Sequence, residues 1–412
     1  MAVVARSEIS AGAASASAPV AAPVAASGRI AALDGLRGVA AAVVVVFHWL
    51  CLFHWELTPV FAEAPPRIVD TPLAILWNGP FAVSVFFVLS GFVMAAAAER
   101  RRERLVANVV TRYLRLALPV TVSVLLAWAL LSLMPEAVAR MQAASAEPSP
   151  WLHYTYSDSI PGVHLALADG LVANFLRGTS WFNNVLWTMQ IELVGSVLLF
   201  VLYWLAEGRL RLWLLAATGL VVVVLFRDAY LAFVTGAALF EAARRGLLDR
   251  VPLWVGALAL GTGLLLGAPS EGAHARLGLP EALPEALWLG NAGGLVPVLA
   301  ATLLLLAVLT LRPLGVLLSM RGPQWLGRIS FGLYLVHVPP LYTLVATAHL
   351  AGAMPPVLLA GVYFAGVLVA AHLFTLAVDE PSLRGLQRLR PRLSRLDPFA
   401  ARRLAARAGD VR

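Results

Sequence analysis

His48 and Glu192 carry an imidazole and a carboxylate inside runs that are otherwise apolar enough to cross a bilayer, Leu33–Phe53 and Val185–Ala206. A charged Asp or Arg at the centre of an inserted helix costs about 2.5–3.5 kcal/mol, so polar groups in such runs are expected to serve a site. An imidazole held beside a carboxylate is the pairing of a general base with its orienting partner. An interhelical packing hydrogen bond is the structural alternative. The first run also holds Asp34 and Arg37, and Arg37 precedes His48 by eleven residues, roughly 16 Å along a helix. Arg112 and Arg115 are three apart, hence on one helical face, and a guanidinium grips phosphate with two parallel donors. That pair suits an anionic, phosphate-bearing ligand, whereas Arg100–Arg104 read as anchoring charge.

Other candidates are carried by type and place. Ser90 and Gly91, in FFVLSGFVM (Phe86–Met94), are small enough to admit a neighbouring helix or a ligand chain. Ser330, Tyr334 and His337 share roughly one helical face at i, i+4 and i+7. A single His in a bundle is more often a packing group, so His337 ranks second to His48 as a base. Cys51, the only cysteine, forms no internal disulfide and reads as a small apolar residue rather than an acyl carrier. No metal-ligand spacing, phosphate-binding loop, dinucleotide fingerprint or nucleophile elbow is present.

These side chains need a membrane scaffold to position them. Hydrophobic residues make up 60% of the 412, charged residues only 13%, and mean hydropathy is +0.81, which excludes a water-soluble core. Apolar runs predict an all-α, polytopic bundle of about ten transmembrane helices. They start at Leu33 and continue over Pro72–Ala98, Tyr113–Met134, Val185–Ala206, Leu210–Phe226, Tyr230–Ala243, Val251–Gly267, Asn291–Leu311, Ile329–Leu350 and Pro355–Val378. The sixth is short for a bilayer.

All 31 basic residues are Arg, and 26 of them fall on one side if the even-numbered spans end where the N-terminus lies. The positive-inside rule then puts both termini in the cytoplasm and explains the net charge of +8 without nucleic acid. Residues 1–30 read as a disordered cytoplasmic tail, 31–380 as the transmembrane domain and 381–412 as a basic tail drawn to anionic lipid. The outer segment Pro135–Asn184 concentrates aromatics and amides, among them Trp151, Tyr156, Trp181, Asn183 and Asn184. Interfacial belting explains them, or a surface for a polar acceptor, to which Trp187 just beyond would add.

LDGLRGVAAAVVVVFHW, VFFVLSGFVMA, RYLRLALP, LWTMQIEL, ISFGLYLVHVPP and DEPSLR, in this order over Leu33–Arg384, resemble the acyltransferase-3 family of membrane acyltransferases. Phe331 stands where that family commonly has Tyr, and Val336 where it has Trp. The resemblance implies an O-acyltransferase that moves an acyl group, expected to be acetyl, from cytoplasmic acyl-CoA to a hydroxyl on a glycan, lipid-linked sugar or small glycoside. It implies a multi-pass protein of the cell membrane, expected to be a bacterial plasma membrane, with no permanently bound cofactor. On this reading His48 and Glu192 are catalytic, with Glu192 orienting the ring and His48 either a base or a transient acyl carrier. Arg37, Arg112, Arg115 and Ser90 hold the donor, and Asp34, Tyr334, His337, Trp187 and Asn184 contact the acceptor. The competing class is a transporter or flippase. Such proteins usually show paired broken helices from internal repeats, and no repeat is visible here. A third reading, an inactive membrane scaffold, leaves the polar residues as unexplained costs.

Overall fold

The computed structural model describes residues 24–58, 60–61, 66–145, 147–225, 228–268 and 294–398. Most of the expected N-terminal tail, residues 291–293 of the eighth expected span and the end of the basic tail lie outside them. The described residues form helices and connecting turns, without a strand. Besides the short helices Ala137–Ala143, Val163–Ala168 and Asn174–Arg177, the chain forms α1 (Val24–Phe53), α2 (Gly79–Arg100), α3 (Leu105–Leu133), α4 (Thr188–Leu205), α5 (Gly208–Val224), α6 (Asp228–Arg244) and α7 (Leu253–Gly267). Then follow α8 (Leu295–Thr310), α9 (Arg312–Leu318), α10 (Arg321–Val336), α11 (Val338–Leu350) and α12 (Pro356–Arg395).

Each expected span coincides with a helix, yet fewer than ten have the length and composition of a full crossing. Among the described residues five helices qualify, and the count rises to seven if the bent pairs α8–α9, at 95°, and α10–α11, at 49°, each make one span. The helices α5, α6 and α7 have 17, 17 and 15 residues. At 1.5 Å per residue they reach about 23–26 Å, short of a ~30 Å hydrocarbon layer. Their apolar composition alone resembles that of ordinary spans.

Local sequence fixes the places where helices start, touch and break. The Asn78 side chain accepts from Phe81 N at 3.0 Å, capping α2, while its amide donates to Gly267 O at 3.1 Å. One residue thus starts α2 and ties it to the end of α7. The α1 sequence LDGLRG brings Gly35 and Gly38 against α9 and α10: a Cβ on Gly38 would lie 2.4 Å from Gly327 N, and one on Gly327 2.3 Å from Asp34 O. Glycine is needed there because the two backbones touch. The same device joins α2 to α6, where Gly236 meets Val88 O.

The bend between α10 and α11 falls at His337, just before Pro339 and Pro340. Pro339 has no N–H for the carbonyl of Leu335, its i−4 partner. Ser123 Oγ and Asn183 Nδ2 donate to that oxygen instead, at 2.7 and 2.9 Å. The His337 carbonyl accepts from Tyr363 OH at 3.2 Å. The Leu335 and His337 carbonyls at the bend are therefore satisfied by side chains, as a break buried among helices requires.

Contacts gather the arginine-rich ends at one end of the bundle. Arg211 of α5, almost fully buried, pairs with Glu99 of α2 and with Glu241 of α6 at 3.0 Å. Asp397 accepts from Ala107 N in the first turn of α3 at 3.0 Å, and Gln324 donates to Ala31 O at 2.6 Å.

Candidate active site

A cavity of about 260 Å³ lies among α1, α2, α3, α4 and α10. Its polar lining is Arg37, Ser90, Arg112, Arg115, Thr188, Glu192, Ser330 and Tyr334, with Phe86, Phe87 and Phe331 on the apolar side. Six of the eleven candidate residues, Arg37, Ser90, Arg112, Arg115, Glu192 and Tyr334, therefore come from five helices to one chamber.

Helix register explains the gathering. Ser90 faces the chamber while the neighbouring Gly91 turns to the α6 backbone, where a Cβ would sit 2.4 Å from Phe233 O. Of this small pair Gly91 packs closely on a neighbouring helix, and Ser90 lines the cavity. Glu192 is held on both oxygens: Ser90 Oγ donates to Oε1 at 2.7 Å, and Arg112 ion-pairs with Oε2. Arg112 Nε also donates to Ser196 Oγ at 2.9 Å. Arg115 reaches both oxygens of Asp379, on α12, and its guanidinium lies 5.0 Å above the Phe331 ring. Arg37 makes a 3.2 Å pair with Asp34 at the more exposed end.

A guanidinium has five N–H donors, and Arg112 and Arg115 each spend two on these partners. The carboxylates pin the two planes without exhausting their donors. Arg37, Arg112 and Arg115 are each ion-paired, with Asp34, Glu192 and Asp379, and the N–H donors these pairs leave unused suit a phosphorylated ligand.

The structure corrects the expected partner of His48. Glu192 is engaged by Arg112 and Ser90, and His48 pairs with His337, whose Nε2 lies 3.1 Å from His48 Nδ1. His48 and Glu192 stand at different depths: Phe47, beside His48, lies against Gly79 at the start of α2, whereas Glu192 accepts from Ser90, eleven residues further along that helix. The network also assigns the tautomers. His337 Nδ1 lies 3.0 Å from the carbonyls of both Leu333 and Tyr334, so it carries the proton and leaves Nε2 to accept. His48 Nδ1 then donates to His337 and to Val44 O, 2.9 Å away. His48 Nε2 is left unprotonated, and no described residue bonds it. Trp151 packs against the ring at 5.5 Å between centroids.

His48 and His337 do not line the chamber but stand next to it. Tyr334, on the chamber wall, is one turn before His337, with ring centroids 6.1 Å apart. Its hydroxyl donates to Val185 O at 2.8 Å and sits 2.9 Å from Thr188 Oγ1. Three further candidates lie outside the chamber. Asp34 serves Arg37, Trp187 packs edge-on against Phe87, and Asn184 reaches Thr155 Oγ1 at 3.5 Å.

Sequence reasoning missed Asp379, Ser196, Ser123 and Asn183 as positioning groups, and Thr188 and Phe331 as chamber lining. Asp379 had a signal, the acid of DEPSLR at the end of the last span. Asn183 had one as well, being an amide in the outer segment, although its partner, a proline-orphaned carbonyl, was not visible. Among the described residues no group of three His, Cys, Asp or Glu is placed to hold a metal ion.

O-acetyltransferase PaAT-1 of Phomopsis amygdali is 26% identical over 371 residues, covering 76% of this chain and 72% of its own length. No solved structure matches the chain. A family profile described as an acyltransferase domain matches residues 30–376, which include every residue of the chamber and the histidine pair. The chain belongs to the acyltransferase-3 family of membrane proteins and is an O-acyltransferase.

Proposed function

We propose that the protein transfers an acyl group, with acetyl as the expected case, from acyl-CoA to a hydroxyl of a carbohydrate or glycosylated acceptor. The observation that carries the donor assignment is the chamber holding Arg37, Arg112 and Arg115 beside the His48–His337 pair. Coenzyme A presents phosphates on one end of a long, narrow arm and a thioester on the other. The spare guanidinium donors suit the phosphate end, and the apolar wall of Phe86, Phe87 and Phe331 suits the arm. The arginine-rich end of the bundle faces the cytoplasm in this reading, as the charge asymmetry favours.

His48 Nε2, the unprotonated nitrogen, takes the proton of the acceptor hydroxyl as the oxygen attacks the thioester carbonyl. When the tetrahedral species collapses the carbon–sulfur bond breaks, and the departing thiolate recovers that proton from the imidazolium. His337 holds the Nδ1 proton in place through both steps. Glu192 acts on the donor side, keeping Arg112 turned into the chamber.

The test is transfer from radiolabelled acetyl-CoA by the protein in lipid nanodiscs, with release of free coenzyme A measured in parallel. Arg112→Ala is expected to raise the KM for acetyl-CoA about tenfold, the equivalent of ~1.4 kcal/mol for one charge-assisted contact. An unchanged KM removes the phosphate role from Arg112.

A further inference from the structure

A second cavity, of about 420 Å³, opens at the other end of the bundle. It is walled by the last turn of α1, the turn Trp55–Leu57, the segment 141–152 and the facing ends of α11 and α12. Its character is the reverse of the first. No arginine lines it; Trp49, Phe53 and Trp55 supply aromatic faces, and His54, His349 and Glu147 supply the few titratable groups. The Trp49 ring is fixed among Phe53, Tyr363 and Phe364, with centroids 4.5 to 5.6 Å apart. Interfacial aromatics ordinarily lie against lipid headgroups, but these converge on a concavity with a rigid floor.

Register along two helices places the histidine pair between the cavities. On α1 the order is Arg37 in the first cavity, then His48, then Trp49, Leu52 and Phe53 in the second. On α10 Ser330, Phe331 and Tyr334 line the first cavity, and His337 follows one turn later. Leu52 is one turn beyond His48, and the strip Ser149–Leu152 both lines the second cavity and supplies Trp151 against the His48 ring. We propose that this outer cavity is the acceptor site, and that it takes an uncharged, hydroxyl-bearing molecule with an apolar ring face, such as an aryl glycoside, rather than an anionic sugar. Trp49 and Trp55 stack on that ring, and the hydroxyl to be acylated points down α1 toward His48 Nε2. The proposal rests on the O-acyltransferase reading and gives its acceptor a place and a chemical class. None of Asp34, Tyr334, His337, Trp187 and Asn184 lines this cavity.

The test uses site-directed labelling, which requires no turnover and so stands or falls separately from the acyl-transfer assay. Ala144 is on the cavity wall, and the native Cys51 is fully buried. In nanodiscs, the rate at which N-ethylmaleimide labels the Ala144→Cys protein is followed by mass spectrometry. Phenyl β-D-glucopyranoside at millimolar concentration is expected to slow labelling at least fivefold, whereas glucose 6-phosphate and acetyl-CoA leave it within twofold. Adding Trp49→Ala raises the half-protecting concentration at least tenfold, and Trp49→Phe raises it less. If Trp49→Ala fails to insert, His349→Ala reads the opposite wall. Labelling unaffected by phenyl glucoside, or slowed equally by glucose 6-phosphate or by acetyl-CoA, overturns the proposal.

Discussion

Replacing His337 separates a positioning role from a binding role. Its Nε2 accepts the His48 Nδ1 proton over 3.1 Å, and Val44 O, at 2.9 Å, is the second acceptor of that proton. In His337→Ala the buried donor keeps only Val44, so the loss lies at the low end of the ~1–3 kcal/mol cost of an under-satisfied buried group. Taking about 1–2 kcal/mol, and 1.36 kcal/mol per factor of ten, kcat falls about five- to thirty-fold. The KM for acetyl-CoA is expected to stay unchanged, because His337 does not line the arginine-bearing chamber. Gln at this position can offer an amide oxygen to the same proton, so His337→Gln recovers most of the rate. The assay is the initial rate of coenzyme A release across an acetyl-CoA titration in nanodiscs, with phenyl glucoside as acceptor. A His337→Ala enzyme with wild-type kcat, or one whose defect lies wholly in KM, refutes the reasoning.

Three further predictions concern the frame of the site. Glu192→Ala strands the Arg112 guanidinium in a mostly buried position and is expected to destabilise the protein by about 3–5 kcal/mol, whereas Glu192→Ala combined with Arg112→Met costs less than the single change; thermal unfolding of both variants in detergent measures the difference. Asn183→Ala leaves the Leu335 carbonyl with Ser123 alone, at a cost of about 1–2 kcal/mol, and the Ser123→Ala, Asn183→Ala double variant exceeds the sum of the singles because both donors serve one oxygen; the same unfolding measurement on the three variants checks it. Gly38→Val drives α1 off α10, since even a Cβ would lie 2.4 Å from Gly327 N, and its folded yield by size-exclusion chromatography is expected to collapse while Val39→Ala, on an exposed position, behaves as wild type.

Much of this organisation is legible in the residues, for identifiable reasons. Charged and polar groups in apolar runs are few and expensive, so Arg37, Ser90, Arg112, Arg115, Glu192 and Tyr334 stand out by type and place alone, and one chamber gathers all six. Pairing is harder to read. Residue number gives position along one helix, but the stagger of one helix against the next depends on packing, and here Gly79, at the start of α2, lies against Phe47, whereas Ser90, which bonds Glu192, is eleven residues further along α2. His48 therefore meets His337 instead of Glu192. The outer cavity is hidden in the sequence because its parts, Trp49, Trp55 and His349, are far apart along the chain or each alone resembles an interfacial residue. Hydropathy alone does not register helix length, and α5, α6 and α7 stop at 17, 17 and 15 residues.

The central claim is that His48 Nε2 is the base of an acyl transfer from coenzyme A, and His48→Ala tests it most directly. Proteins with and without the change, inserted in nanodiscs to equal levels and with matched unfolding temperatures, are given radiolabelled acetyl-CoA and phenyl glucoside. Wild type is expected to form labelled ester with one coenzyme A released per ester. His48→Ala is expected to lose about 10²–10⁴ in rate, the contribution of a general base, while its KM for acetyl-CoA holds. Ester formation by His48→Ala at the wild-type rate would contradict the claim.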